Sequence, residues 1–124
     1  MNIEALIKDM TMRPPMFIHP VNVYSIENFL RGHIGCAIGD IRKYEFDYKS
    51  DICVFRSFFD RWVYQWIRKN INKKYEPESL FWSDMLISVT KDADGAVELF
   101  FSLCEKFFED FHSKGESFWE GLSF

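Results

Sequence analysis

The strongest constraint on the fold is the spacing of phenylalanines in the last third of the chain. From about Ala93 to Ser113, apolar residues recur three and four positions apart, which places them on one face of an α-helix. Asp92 stands where a helix N-cap is expected, and Gly115 follows the last turn. The pattern therefore predicts a long amphipathic helix with one face in an aromatic core. That face consists of Val97, Phe100, Phe101, Cys104, Phe107, Phe108 and Phe111.

Four earlier stretches have the same helical periodicity. Asp51 is the expected N-cap of the third helix and the pair Glu78-Ser79 that of the fourth. One segment, Lys43 to Tyr48, alternates aromatic and charged residues and suits a hairpin arm or a loop. The expected fold is an all-α, compact single-domain bundle of about five helices over residues 1–124. The four earlier helices are predicted at Ile3 to Met12, Val23 to Ile41, Ile52 to Asn72 and Ser79 to Val89.

Composition excludes several classes of protein. With 48% hydrophobic residues in 124, the chain is too apolar for intrinsic disorder and has the length of one domain. The longest stretch without charged residues, Pro14 to Ile26, is too short to span a bilayer. The N-terminal residues include acids and lack the basic region of a signal peptide. Because the three cysteines (Cys36, Cys53, Cys104) form no CxxC pair, we expect buried, reduced thiols in a cytoplasmic protein.

Motifs for catalysis or for metal and cofactor binding were not found in the sequence. There is no nucleotide-binding loop, zinc-protease motif or nucleophile elbow. His33 and Cys36 share a helix face, which is more typical of packed residues than of a nucleophile pair or a zinc site. We therefore expect no enzyme, catalytic residue, cofactor or metal, with a small enzyme using Cys36 or His33 as the weaker alternative.

A basic run from Arg68 to Tyr75, with Trp62 and Trp66 nearby, could bind nucleic acid through stacking and charge. The net charge of −4 instead favours a solvated helix end whose aromatic residues face the core. We therefore expect no direct nucleic-acid binding.

Charge is distributed unevenly along the chain. Residues 1–90 carry a balance of +1, and residues 91–124 carry −5. This acidity is either a solvated surface or a face that docks on a basic partner. The tail adds Phe118, Trp119 and Phe124, which either fold back on the core or anchor a partner. The predicted partner-binding residues are Asp92, Asp94, Glu98, Glu105, Glu109, Asp110 and Trp119.

The order of several short motifs resembles that of one protein family. Its members are small, single-domain bacterial proteins with an Arg-Pro-Gly-Met-Tyr-Ile/Leu-Gly motif, a later Phe-Leu-x-Gly, a mid-chain Trp and a final Ala-x-x-x-Phe-Phe helix. The resemblance covers nearly the whole chain, although Pro15 and His19 stand where the family has glycine. The matching segments are Arg13-Pro14-Pro15-Met16-Phe17-Ile18, Phe29-Leu30-Arg31-Gly32, Phe55 with Phe58-Phe59-Asp60-Arg61-Trp62-Val63, Trp82 before Met85-Leu86-Ile87, and Asp94-Gly95-Ala96-Val97-Glu98-Leu99-Phe100-Phe101 with Phe107-Phe108.

Some members of this family resemble immunity proteins encoded beside contact-dependent growth inhibition toxins or other polymorphic toxins. The resemblance implies that this chain binds a cognate toxin domain in the cytoplasm and blocks it. The expected partner is a basic toxin domain, an RNase or a DNase, and we expect no membrane contact and a monomer or weak dimer. The alternative is a non-catalytic helical structural or regulatory interaction domain that forms homodimers.

Overall fold

The computed structural model describes residues 2–16, 18–38, 50–118 and 122, without the side chains of residues 35–38 and 116. The described residues form five α-helices and no β-strand, which confirms the predicted all-α single-domain bundle. The candidate strand at 43–48 and the predicted end of the second helix at 39–41 lie outside these ranges. The helices are α1 (Ile3–Met12), α2 (Val23–Ile38), α3 (Asp51–Asn70), α4 (Trp82–Thr90) and α5 (Ala93–Lys114), with 3₁₀ turns at Pro14–Met16 and Gly115–Ser117.

Helix α5 begins and ends almost where the sequence predicts. The Asp92 carboxylate accepts a hydrogen bond of 3.0 Å from the N–H of Gly95, which satisfies one of the free amides of the first turn. At the other end Gly115 has a φ of +58°, a conformation that glycine adopts without steric cost. These local signals are sufficient because each cap interacts only with its own helix.

The prediction that Asp51 caps α3 is wrong. The cap is Ser50, whose hydroxyl accepts from the N–H of Cys53, and Asp51 is the first residue of the helix. The Asp51 carboxylate instead accepts a hydrogen bond of 3.0 Å from the N–H of Glu4 in α1. A carboxylate of α3 thus satisfies a first-turn amide of another helix, which sequence spacing within one segment cannot reveal.

Helix α4 begins at Trp82, three residues after the predicted start at Ser79. Its N-cap position is Phe81, which offers no polar side chain. The Asp60 carboxylate of α3 supplies the missing acceptor, because it takes a hydrogen bond of 2.8 Å from the N–H of Trp82. Ser79 does not cap the helix, and its hydroxyl donates to Asp84 over 2.7 Å.

The core is built around α5, which packs against each of the other four helices. Phe59 of α3 lies near its centre, with its ring centroid 5.3 Å from that of Phe107 and 5.9 Å from that of Phe100. The indole of Trp82 stacks on Phe100 with centroids 4.3 Å apart. Edge-to-face and stacked ring pairs of this kind add to the stabilisation that burial provides.

The described part of the C-terminal tail folds back on the core. Phe118 is 3% exposed, and its ring contacts those of Phe107 and Phe111 at 5.1 and 5.9 Å. For Phe118 the interpretation that the tail folds back on the core is therefore correct, and the alternative of an exposed partner anchor is not. Trp119 and Phe124 lie outside the described residues.

The basic C-terminal end of α3 closes on itself. The Arg68 guanidinium donates two hydrogen bonds, of 3.0 and 2.9 Å, to the carbonyl of Lys73 and one of 2.8 Å to the Tyr64 hydroxyl. The ring of Tyr75 is buried beside Tyr64. Arg68 therefore stabilises the turn after α3, and the ring of Tyr75 belongs to the core.

Candidate functional site

The acidic residues predicted for partner binding do not form one surface. Asp92 is exposed, but its carboxylate is used as the N-cap of α5. Asp94 is exposed in the first turn of the helix, one turn before Glu98 and on the same side of α5. Asp110 lies on the side that faces α3, where it accepts a hydrogen bond of 3.0 Å from the indole N–H of Trp62. Trp119, the remaining residue predicted to bind a partner, lies outside the described residues.

Three of the predicted acids do come together in one stripe. Glu98, Glu105 and Glu109 are all exposed, and their spacing along α5 keeps them within about 40° of one another around the helix axis. Within the described ranges none of the three makes an ion pair or a hydrogen bond. We name these three residues the acidic stripe. Because none of these carboxylates has an ion-pair partner among the described residues, their negative charge contributes to the field at this face of the helix.

The acidic stripe borders a groove between α1 and α5. The groove encloses about 710 Å³, and its floor is formed by the buried side chains of Ile7, Cys104 and Phe108. Met12 stands at its edge with 81% of its surface exposed, more than any other large apolar residue in the described part of the chain. Glu105 and Glu109 belong to its rim. The result is an apolar surface with carboxylates beside it.

The groove continues toward the start of α5. A second recess of about 420 Å³ shares Thr11, Phe101 and Glu105 with the first and extends to Glu98 and Pro14. The acidic stripe therefore follows one connected depression along the α1–α5 boundary. Its length along α5, from Val97 to His112, is about 22 Å at 1.5 Å per residue.

Sequence reasoning missed the contribution of α1 to this site. The buried stripe of α1 is Ile3, Leu6, Ile7 and Met10. Met12 lies on the side of that helix opposite Ile3, since the nine residues between them correspond to about two and a half turns. An apolar residue on a predicted polar face was the signal available in the sequence. That Met12 stands at the edge of a groove could be learned only from the packing of α1 against α5.

A polar contact ties the two walls of the groove together. Nε2 of His112 in α5 lies 2.7 Å from Oε1 of Glu4 in α1, and Nζ of Lys8 lies 3.9 Å from the same carboxylate. One glutamate thus contacts both basic side chains at the rim. Glu105 and Glu109, at the same rim, have no ion pair with a described residue.

A second cleft lies between α2, α3 and α4. Its volume is about 260 Å³, and it contains the carboxylates of Glu27 and Asp60. Glu27 accepts from the Ser83 hydroxyl over 2.8 Å and lies 3.5 Å from the Arg31 guanidinium. Burial raises the pKa of the Asp60 carboxyl. Both acids attach α4 to its neighbours, which is a structural task.

The residues of the weaker enzymatic hypothesis are only partly placed. Nε2 of His33 is shielded from solvent and has no hydrogen-bond partner among the described residues. The side chain of Cys36 is not among those described. Cys53 and Cys104 are buried free thiols, and burial raises the pKa of Cys104 well above its usual value. A thiol in this state is a poor nucleophile, because the thiolate is the reactive form.

Over residues 2–16, 18–38, 50–118 and 122, no group of three or more His, Cys, Asp or Glu side chains is arranged to hold a metal ion. No helix in the same ranges is both long enough and apolar enough to cross a bilayer.

Comparisons of the chain with protein-family profiles, with curated proteins and with solved structures gave no match. The family resemblance therefore rests on the sequence motifs alone.

Proposed function

We propose that this protein is a non-catalytic binding domain of the immunity type, which neutralises a cognate toxin domain in the cytoplasm. The observation that carries the proposal is the acidic stripe of Glu98, Glu105 and Glu109, exposed and without described cations. The identity of the partner as a toxin comes from the motif resemblance. The geometry of α5 supports the acidic stripe as the surface that meets this partner.

Charge supports a basic partner. A nuclease must hold phosphate groups, so its active-site cleft is lined by lysine and arginine. Three exposed carboxylates on one helix face, without an ion pair to any described residue, provide a complementary field. Such fields speed the encounter of two proteins and select against partners of like charge. An RNase or DNase toxin domain fits this surface better than a nucleic acid, which the acidic stripe would repel.

Two observations favour binding over catalysis. The acids of the second cleft, Glu27 and Asp60, are both occupied in attaching α4. The described thiols, Cys53 and Cys104, lie in the core. These carboxylates and thiols therefore serve the fold, whereas catalytic groups would be expected to converge on a reacting atom.

The alternative, a homodimeric structural or regulatory domain, is favoured by a different observation. Several large apolar side chains are exposed, among them Met12, Met16 and Phe81 at 81%, 71% and 52%. A self-association surface would use such residues. Sedimentation equilibrium at micromolar concentration separates the two functions, because a monomer under these conditions contradicts the homodimer.

The direct test is co-expression with the toxin domain encoded immediately upstream. We expect the two chains to co-purify at a fixed ratio and cells that express the toxin domain to survive only when this protein is present. Hen lysozyme, a basic protein of similar size, is the control for attraction by charge alone and is expected not to be retained at moderate salt. Failure to bind the toxin domain, or binding without protection, would contradict the proposal.

A further inference from the structure

We infer that the groove between α1 and α5 receives an α-helix of the partner that is apolar on one face and basic along its flank. This inference rests on the proposed function and specifies how the partner is recognised. It starts from the juxtaposition of an apolar floor (Ile7, Cys104, Phe108) with the carboxylates of Glu105 and Glu109.

The apolar part of the groove is suited to a side-chain anchor. Its floor residues are each at most 4% exposed in the isolated chain, and the partly exposed ring of Phe101 lies between the two recesses. Met12, 81% exposed, stands at the edge. Methionine is unbranched and polarisable, so it adapts to the shape of an incoming apolar residue. Leaving this side chain in water is unfavourable, and a partner that covers it gains that burial energy.

The rim of the groove selects the charge of the occupant. Its two basic groups, Lys8 and His112, lie beside the Glu4 carboxylate. Glu105 and Glu109 remain, and Glu98 continues the same charge along the second recess. An occupant with lysine or arginine along its flank places cations beside these acids, and an acidic occupant meets like charge.

The shape of the groove favours a helix over an extended segment. One common way to bind an extended peptide is to add it to the edge of a β-sheet, and the described residues contain no strand. Two adjacent helices instead present a depression into which the ridge of a third helix packs. A groove length of about 22 Å along α5 accommodates about 15 helical residues.

Synthetic peptides test the recognition without the toxin. The probe is a fluorescein-labelled helical peptide of about 15 residues with leucine on one face and lysine on the flanks, a length set by the helical rise. The matched control has glutamate in place of every lysine. We expect the lysine peptide to raise the fluorescence anisotropy at micromolar protein and to shift the backbone amide NMR signals of α1 and α5. Equal binding of both peptides, or shifts confined to other helices, would overturn the inference.

A single substitution in the groove tests the same point with the natural partner. Met12→Arg places a cation on an exposed position at the groove edge, where it repels a basic occupant while leaving the core untouched. Ile71→Arg is the matched control, since Ile71 is 50% exposed and lies beyond the end of α3. We expect Met12→Arg to weaken binding of the peptide and of the toxin domain by about tenfold or more and Ile71→Arg to change neither. Circular dichroism of both variants verifies that the helices are retained.

The outcomes separate the inference from the proposed function. If the toxin domain binds and protection is seen, but Met12→Arg binds as the natural sequence does, the function stands and the groove is not the site. If the lysine peptide binds in the groove but the toxin domain does not bind, the inference that the groove binds a basic amphipathic helix stands and the immunity function fails. If the groove is instead occupied by a second copy of this chain, Met12→Arg converts a dimer to a monomer in sedimentation experiments, and the inference is overturned.

Discussion

The indole N–H of Trp62 in α3 donates a hydrogen bond of 3.0 Å to Oδ2 of Asp110 in α5, 48 positions further along the chain. This contact divides the acids of α5 by role. Asp110 belongs to the α3–α5 junction, and its neighbour Glu109 belongs to the acidic stripe. Two adjacent carboxylates are therefore expected to respond differently to the same substitution.

Removing the Asp110 carboxylate should destabilise the fold. Asp110→Ala leaves the N–H of Trp62, a residue 7% exposed, without its acceptor, and we expect the free energy of unfolding to fall by about 1 kcal/mol. Asp110→Asn keeps an acceptor oxygen and should lose less. Glu109→Ala should stay within about 0.5 kcal/mol of the natural sequence, as is usual for exposed positions. Urea unfolding measures all three, and equal losses for Asp110→Ala and Glu109→Ala would contradict this division.

Reversing the charge of the acidic stripe should impair association with the toxin domain. In the triple variant Glu98→Lys, Glu105→Lys and Glu109→Lys, the attraction between the two proteins is lost, so we expect the association rate at low salt to fall by about tenfold or more. Surface plasmon resonance at several salt concentrations checks this, because the salt dependence of the association rate should also become weaker.

A control distinguishes local charge from net charge in that experiment. The triple variant Asp9→Lys, Glu76→Lys and Glu78→Lys changes the net charge equally at exposed positions outside the stripe. It should slow association less than the stripe variant does. The same loss in both triple variants would show that overall charge, and not the stripe, governs the encounter.

The stability of the α4 attachment should depend on pH through Asp60. Burial raises the pKa of its carboxyl above the ordinary value of 3.8, and the hydrogen bond from Trp82 offsets this only in part. Between the ordinary and the raised pKa the folded protein binds more protons than the unfolded chain does. The contribution of this carboxyl to stability is therefore fully present below pH 3.8 and falls as pH rises through the raised pKa.

Asp60→Asn isolates this effect, because the amide cannot ionise but keeps an acceptor oxygen for the Trp82 N–H. We expect the free energy of unfolding of the variant, relative to the natural sequence, to increase as pH rises from the ordinary carboxyl range toward neutrality. Carboxyls that do not interact with Asp60 contribute equally in both proteins and cancel in the difference. Urea unfolding at a series of pH values measures it, and a difference that is constant or decreases with pH would refute the assignment.

The buried thiols should resist alkylation. Cys53 and Cys104 are 2% and 1% exposed, and the raised pKa of Cys104 keeps its thiol protonated. We expect iodoacetamide to leave both unmodified in the native protein and to modify both after unfolding in guanidinium chloride. Peptide mapping by mass spectrometry follows each cysteine separately. Rapid native alkylation of Cys104 would mean that the groove floor opens, which the packing of Phe108 and Ile7 argues against.

Within the described ranges, the sequence by itself determined which segments form helices and where α5 begins and ends, although it placed the N-cap of α3 one residue too late. The periodic apolar residues of α5 required a buried face, and Asp92 and Gly115 needed only local backbone geometry to start and stop it. Asn22 likewise caps α2 by accepting from the N–H of Ser25 over 2.9 Å. Such features follow from sequence because all the interacting atoms lie within one or two turns.

Tertiary structure alone decided which polar groups serve the fold and which remain free. Asp60 caps α4 and Asp110 binds Trp62 because α3 passes beside both elements, and the number of residues between the partners carries no signal of it. The groove likewise exists only where α1, at the beginning of the chain, packs against α5. Charge and periodicity could be read along the chain, but a binding surface depends on the neighbours that long-range packing supplies.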